Sequence, residues 1–113
     1  MKAPHLNRKL VLEAPMRVAD GAGGYTESWA AQGTLWVEMT VRGTGAERQI
    51  GEASISRASY RIVVRGAPEG SSMRPAPDQR FREGGRLFVI RAVAERDPGG
   101  QYLTCFADEE VAA

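Results

Sequence analysis

LWVEMTVRGTGAERQIGEASISR, residues 35–57, changes character halfway along its length. Leu35, Val37, Met39 and Val41 alternate with Trp36, Glu38, Thr40 and Arg42, which is the two-residue period of a strand with one buried face. After Arg42 the alternation gives way to Gly43-Thr44-Gly45 and a polar run carrying Glu47, Arg48, Glu52 and Arg57. Strand-like order resumes at Tyr60 in YRIVVR, residues 60–65. Two strands thus flank an excursion, 43–59, that is too long for a hairpin turn. A connection of this size in a small domain is usually functional or ordered by a partner. Ile50, Ala53 and Ile55 at irregular intervals leave a short helix open within it.

Outward from this stretch the chain reads as short strands between glycine and proline punctuation. Lys9–Glu13, with Leu10 and Leu12 on one face, is a first strand after an N-terminal arm, 1–7, expected to be flexible. Asp20-Gly21-Ala22-Gly23-Gly24 is a turn cluster, and the β-prone Tyr25–Trp29 follows it. Trp29-Ala30-Ala31-Gln32 suits one helical turn that Gly33 would end. Pro68, Pro75 and Pro77 make 66–78 a loop. Gln79–Glu83 is a short strand, Gly84-Gly85 a tight turn, and Arg86–Glu95 a longer strand with apolar residues on both faces. Asp97-Pro98-Gly99-Gly100 is a turn that returns Gln101–Ala107 as the partner strand. The pattern predicts one all-β domain over 1–113, a small barrel or sandwich of about six to seven antiparallel strands.

Composition narrows the function classes. A chain of 113 residues that is 42% hydrophobic and 26% charged is an ordinary folded domain, able to bury roughly two-thirds of its unfolded surface around one core. No apolar run approaches the roughly 20 residues that cross a bilayer, so no membrane partner is expected, and no secretion signal opens the chain, which points to assembly in the cytoplasm. A net charge of +1 argues against nucleic-acid binding by bulk charge. The basic residues are nearly all arginine, whose planar fork suits carboxylate or phosphate partners.

Chemistry-bearing patterns are sparse. His5 is the sole histidine and lies in the arm, so neither a histidine-based triad nor a multi-histidine metal site can be built around it. Cys105 sits between apolar strand residues, where an inert buried thiol is expected. The glycines of Asp20–Gly24 lack the Gly-Lys-Ser/Thr ending of a phosphate loop. Asp108-Glu109-Glu110 is read as solvated. No catalytic, cofactor-binding or metal-binding residues are assigned, and no enzyme activity is expected.

The order of the segments carries more information than any one of them. LNRKLVLEAP (6–15), DGAGGYTESW (20–29), LWVEM (35–39), YRIVVR (60–65), GRLFVIRAV (85–93) and YLTCFADE (102–109) follow one another at spacings that resemble the phage head–tail joining family. Its members are the head-closure or stopper proteins of long-tailed phages and phage-like particles such as gene transfer agents. The proline-rich APEGSSMRPAPDQ, 67–79, is longer than the family pattern leads one to expect.

The resemblance implies a small β-barrel subunit of a virion. Six or twelve copies would form a ring below the portal and adaptor proteins, continue the channel for double-stranded DNA without reading its sequence, and dock the tail terminator and tail. It also implies that 43–59 points toward the channel and helps close it after packaging. Gly43, Gly45 and Gly51 would let that segment switch. The mixed charges of Glu47, Arg48, Glu52 and Arg57 would keep it from gripping DNA. Composition suggests Arg8 and Lys9 against Asp108, Glu109 and Glu110, together with Arg86 and Phe88 on the two-faced strand, as contacts to a neighbouring copy or other partner. Two alternatives stay open. One is another ring-forming particle protein such as a tail terminator. The other is a nucleic-acid-binding module that stacks bases on Trp29, Trp36, Tyr60 and Phe88, although aromatics at alternating strand positions are core residues by default.

Overall fold

A computed structural model describes residues 2–44, 48–50, 53–55 and 58–110. Among the described residues there are eight strands: β1 (Arg8–Ala19), β2 (Tyr25–Thr44), β3 (Arg48–Ile50), β4 (Ala53–Ile55), β5 (Ala58–Arg65), β6 (Arg80–Glu83), β7 (Arg86–Glu95) and β8 (Tyr102–Glu109). Six of them, in the order β1-β2-β5-β8-β7-β6, close on themselves in one antiparallel barrel, and β3 and β4 form a separate two-stranded ribbon. The expected all-β class therefore holds, in its barrel form.

Each barrel strand sends alternate side chains inward. Leu10 and Leu12 from β1, Val37 from β2, Ile62 and Val64 from β5, Phe81 from β6, Phe88 and Ile90 from β7, and Leu103, Cys105 and Ala107 from β8 make one buried cluster. Burying each of the large side chains contributes about 1.5–3 kcal/mol, so the core is the chief source of stability. Phe88 meets Tyr60 edge to face, with centroids 5.4 Å apart and planes at 88°.

The strands give the barrel two distinct ends. At one lie the start of β1, the β6–β7 turn at Gly84-Gly85, the end of β8, and the segment between β2 and β5. At the other lie the loop 66–79, the Asp97–Gly100 turn, and the point where β1 and β2 run on past the barrel. Beyond Glu13, β1 no longer pairs with β6, and before Glu38, β2 does not pair with β5. The two strands continue together to Ala19↔Tyr25 as a ribbon that stands off the barrel. The radius of gyration of 15.6 Å exceeds the roughly 13 Å of a compact chain of this length, as such projections require.

Two sequence expectations change here. Residues 29–32 are not a helical turn: β2 is continuous from Tyr25 to Thr44, and a register shift between Leu12 and Glu13 absorbs the extra residue of β2 opposite them. Gly33 ends nothing. It is the place where the loop 66–79 closes on the strand, with the Met73 sulfur only 2.5 Å from where a Cβ would sit. The second change concerns 43–59. Its described parts are strand, because Gly43 and Thr44 pair with Ser59 and Ala58, and Arg48–Ile50 pairs with Ala53–Ile55. Both projections are therefore built from antiparallel strands, and they leave the barrel from opposite ends.

Candidate interaction surfaces

The barrel end from which the β2–β5 segment leaves is closed by charge. Arg8, near the start of β1, makes two hydrogen bonds to Glu83, each 2.7 Å. Glu83 also lies 3.8 Å from Arg86, and Arg86 donates to both carboxylate oxygens of Glu109 at 2.8 and 3.0 Å. The Tyr60 hydroxyl completes the chain through Glu109 and Arg86. The hydrogen bonds from Arg8 and Arg86 hold the Glu83 and Glu109 carboxyls below their ordinary range, outweighing partial burial.

A second ionic cluster joins β1 to β6. Glu13 accepts from Arg80 at 2.8 Å and from Arg82 at 2.9 Å, and Arg80 also stacks on Trp29, 3.9 Å from the ring centroid. Burial opposes ionisation of Glu13, but the hydrogen bonds from Arg82 and Arg80 prevail and hold its carboxyl below the ordinary value of 4.5. A carboxyl with a depressed folded pKa contributes stability above its unfolded value and loses it as pH falls through the folded one. Urea unfolding of the native chain is therefore expected to be nearly independent of pH above about 5.5 and to weaken below about 4.5. Glu13→Gln should be less stable at pH 7 by about 1.5–3 kcal/mol, the worth of hydrogen bonds to a charged group, with a shallower loss in acid. Parallel pH profiles for the two proteins would contradict this role.

The residues expected at a subunit contact are placed differently from one another. Phe88 has no exposed surface and cannot itself touch a neighbour. Arg8, Arg86 and Glu109 are held in ion pairs within the subunit. Asp108 accepts from Ser59 at 2.7 Å and from Arg91 at 3.3 Å. Lys9 and Glu110 are exposed, with the Lys9 ammonium over Trp36. Of the expected channel segment, Gly45, Glu47, Gly51, Glu52 and Arg57 lie outside the described residues; Gly43 is an exposed position in β2, and Arg48 is in β3.

The arm is tied down along its length: Asn7 donates to the Val37 carbonyl, His5 donates to Glu38, and Arg96 reaches the Lys2 carbonyl. It crosses the outer wall of the barrel. Cys105 is buried, and desolvation pushes its thiol up to about 12, so it is no nucleophile. Among the described residues no group of three His, Cys, Asp or Glu is placed to hold a metal ion.

Surfaces that sequence reasoning missed lie on the β1–β2 ribbon and beside it. Met16, Val18, Tyr25, Trp36 and Val41 are about half exposed or more. Val41 breaks the expectation for its strand, whose buried face it was expected to share, whereas Trp36 lies on the face expected to point outward. Trp36 has the outward parity of β2, and Val41 lies where that strand leaves the barrel for the β3–β4 ribbon. The signal available in the sequence was the apolar alternation Met16–Val18, which reads as a continuation of the first strand.

A family model described as phage head completion protein matches residues 1–110. A solved structure described as "Virion of native gene transfer agent (GTA) particle" contains a chain 55% identical to this one, with a TM-score of 0.84, the match covering 98% of this chain and 100% of that one. No curated protein matches.

Proposed function

Because the chain belongs to the phage head completion protein family, we propose that it acts as the stopper at the head–tail junction. It is a structural component of the virion head. Several copies form a ring beneath the portal and adaptor, the ring continues the DNA channel, and its far side receives the tail. The observation that carries this reading is the agreement over the whole chain with a chain from a gene transfer agent virion.

The two-ended build supports the division of labour. A barrel with projections from opposite ends can contact a neighbour on one side while its other end reaches elsewhere. The β3–β4 ribbon, held to the barrel by the Gly43↔Ser59 and Thr44↔Ala58 pairs, is the part assigned to the channel, where it helps retain DNA after packaging. Its role is mechanical, and the chain is not an enzyme.

Electron microscopy of particles from cells lacking this one gene tests the assignment. DNA-filled or leaking heads beside separate, complete tails are expected. Normal joined particles would refute an essential joining role.

A further inference from the structure

The β1–β2 ribbon presents a problem that a lone subunit does not solve. A two-stranded ribbon is marginally stable in water at best, and exposed strand edges are ready templates for another strand. Here both outer edges are open. Among the described residues, Ala14–Ala19 of β1 pairs only with β2, and Tyr25–Val37 of β2 pairs only with β1. On the β1 edge Pro15 cannot donate. What remains free is Arg17–Ala19 on one edge and Tyr25–Trp29 on the other.

We propose that neighbouring copies join these ribbons edge to edge, the outer edge of β1 in one copy pairing with the outer edge of β2 in the next, into one continuous antiparallel collar. This rests on the reading of the protein as a ring subunit. Rotational symmetry supplies the geometry. All copies in a ring point the same way along its axis, so β1 of one copy runs opposite to β2 of the next, as an antiparallel ladder needs. In the collar the ribbon strands run along the ring axis, so rotation keeps equivalent residues at equal height and residues that face each other within a ribbon face each other again between ribbons.

The charges fit that register. Arg17 stands directly opposite Glu27 within the ribbon. Both are exposed, and neither makes an ion pair among the described residues; the Arg17 guanidinium rests instead over the Tyr25 ring, 5.0 Å from its centroid. In the collar each Arg17 lies between two Glu27 carboxylates and each Glu27 between two guanidiniums. Opposite charges directly across a strand pair are stabilising. The half-exposed Met16 and Val18 share the other face of the ribbon with Thr26 and Ser28, and adjoining ribbons cover their flanks. A foreign strand could fill one edge of a ribbon, whereas a second copy fills both around a closed ring, which is why the occupant is this chain itself.

The test uses two exposed single substitutions, Arg17→Cys and Glu27→Cys, produced as separate full-length chains in the same particle-forming cells. Facing residues in paired strands lie within the Cα spacing that a disulfide spans, and the native Cys105 is buried and will not compete. After mild oxidation of purified particles, a covalent dimer of this chain is expected when both variants are present and not with either alone. Particles that carry the ring yet yield no dimer would overturn the collar and leave the ring standing. Particles without a ring of this protein would overturn both. A cross-link to a different particle protein would overturn the collar and identify the strand that takes its place.

Discussion

Phe88→Ala is expected to lower the unfolding free energy by about 3–5 kcal/mol, the usual range for emptying the site of a buried aromatic ring. Phe88 lies in the middle of the barrel with no exposed surface, its ring meeting Tyr60 edge to face and the Arg86 guanidinium 5.0 Å from its centroid. Truncation therefore removes the transfer term, the aromatic pair and a support of the ionic closure together. Urea unfolding with circular dichroism measures the change. The result also separates two roles for this residue. A core residue loses stability in the isolated subunit, whereas an interface residue would leave the subunit's stability intact and impair only assembly.

Gly66→Ala is expected to cost about 2–3 kcal/mol, the upper part of the range for forcing extra atoms into a packed site. Gly66 follows β5 immediately and donates its N–H to the Gln101 carbonyl at 2.7 Å. A Cβ built there runs into the Gly100 carbonyl oxygen, and a backbone group cannot swing aside as a side chain can. Relief requires the end of β5 to separate from the β7–β8 turn, which breaks that hydrogen bond and disturbs Asp97, whose carboxylate caps the turn through Gln101 and Tyr102. Gly85→Ala is the control, because nothing lies within 4 Å of its added Cβ, and a change within about 0.5 kcal/mol is expected. Equal losses at both positions would show that the close approach at Gly66 is not what matters.

The barrel strands were legible because their causes are local. YRIVVR is a β-branched run bounded by arginines and preceded by a tyrosine, GRLFVI follows a Gly-Gly turn, and Asp97-Pro98-Gly99-Gly100 announces the last hairpin, so β5, β7 and β8 were found within a residue or two. The continuity of β2 was hidden because Ala30, Ala31, Gln32 and Gly33 have weak strand preference; it is set by pairing with β1 and by the loop carrying Met73. The length of β1 was missed for a related reason. Its outer half has no buried face to impose a pattern, and its only partner is the other strand of the ribbon.

The candidate contacts were less legible than the fold. Glu13 meets Arg80 and Arg82 across 67 and 69 residues, a juxtaposition made only by closure of β1 on β6. The same holds for Arg8 with Glu83, 75 residues apart. Composition could nominate Arg8, Arg86 and Glu109 as charged partners but could not say that they find one another inside the subunit. Phe88 was nominated because its strand is apolar on both faces. The face was right for a buried residue, but the barrel's own interior is what buries it.

A cryo-electron microscopy reconstruction of the intact neck locates this protein within the particle. A ring of these barrels is expected at the junction of head and tail, with the segment between β2 and β5 directed at the channel axis in DNA-filled particles. Copies located in the capsid shell or along the tail tube, with another protein forming the ring at the junction, would contradict it.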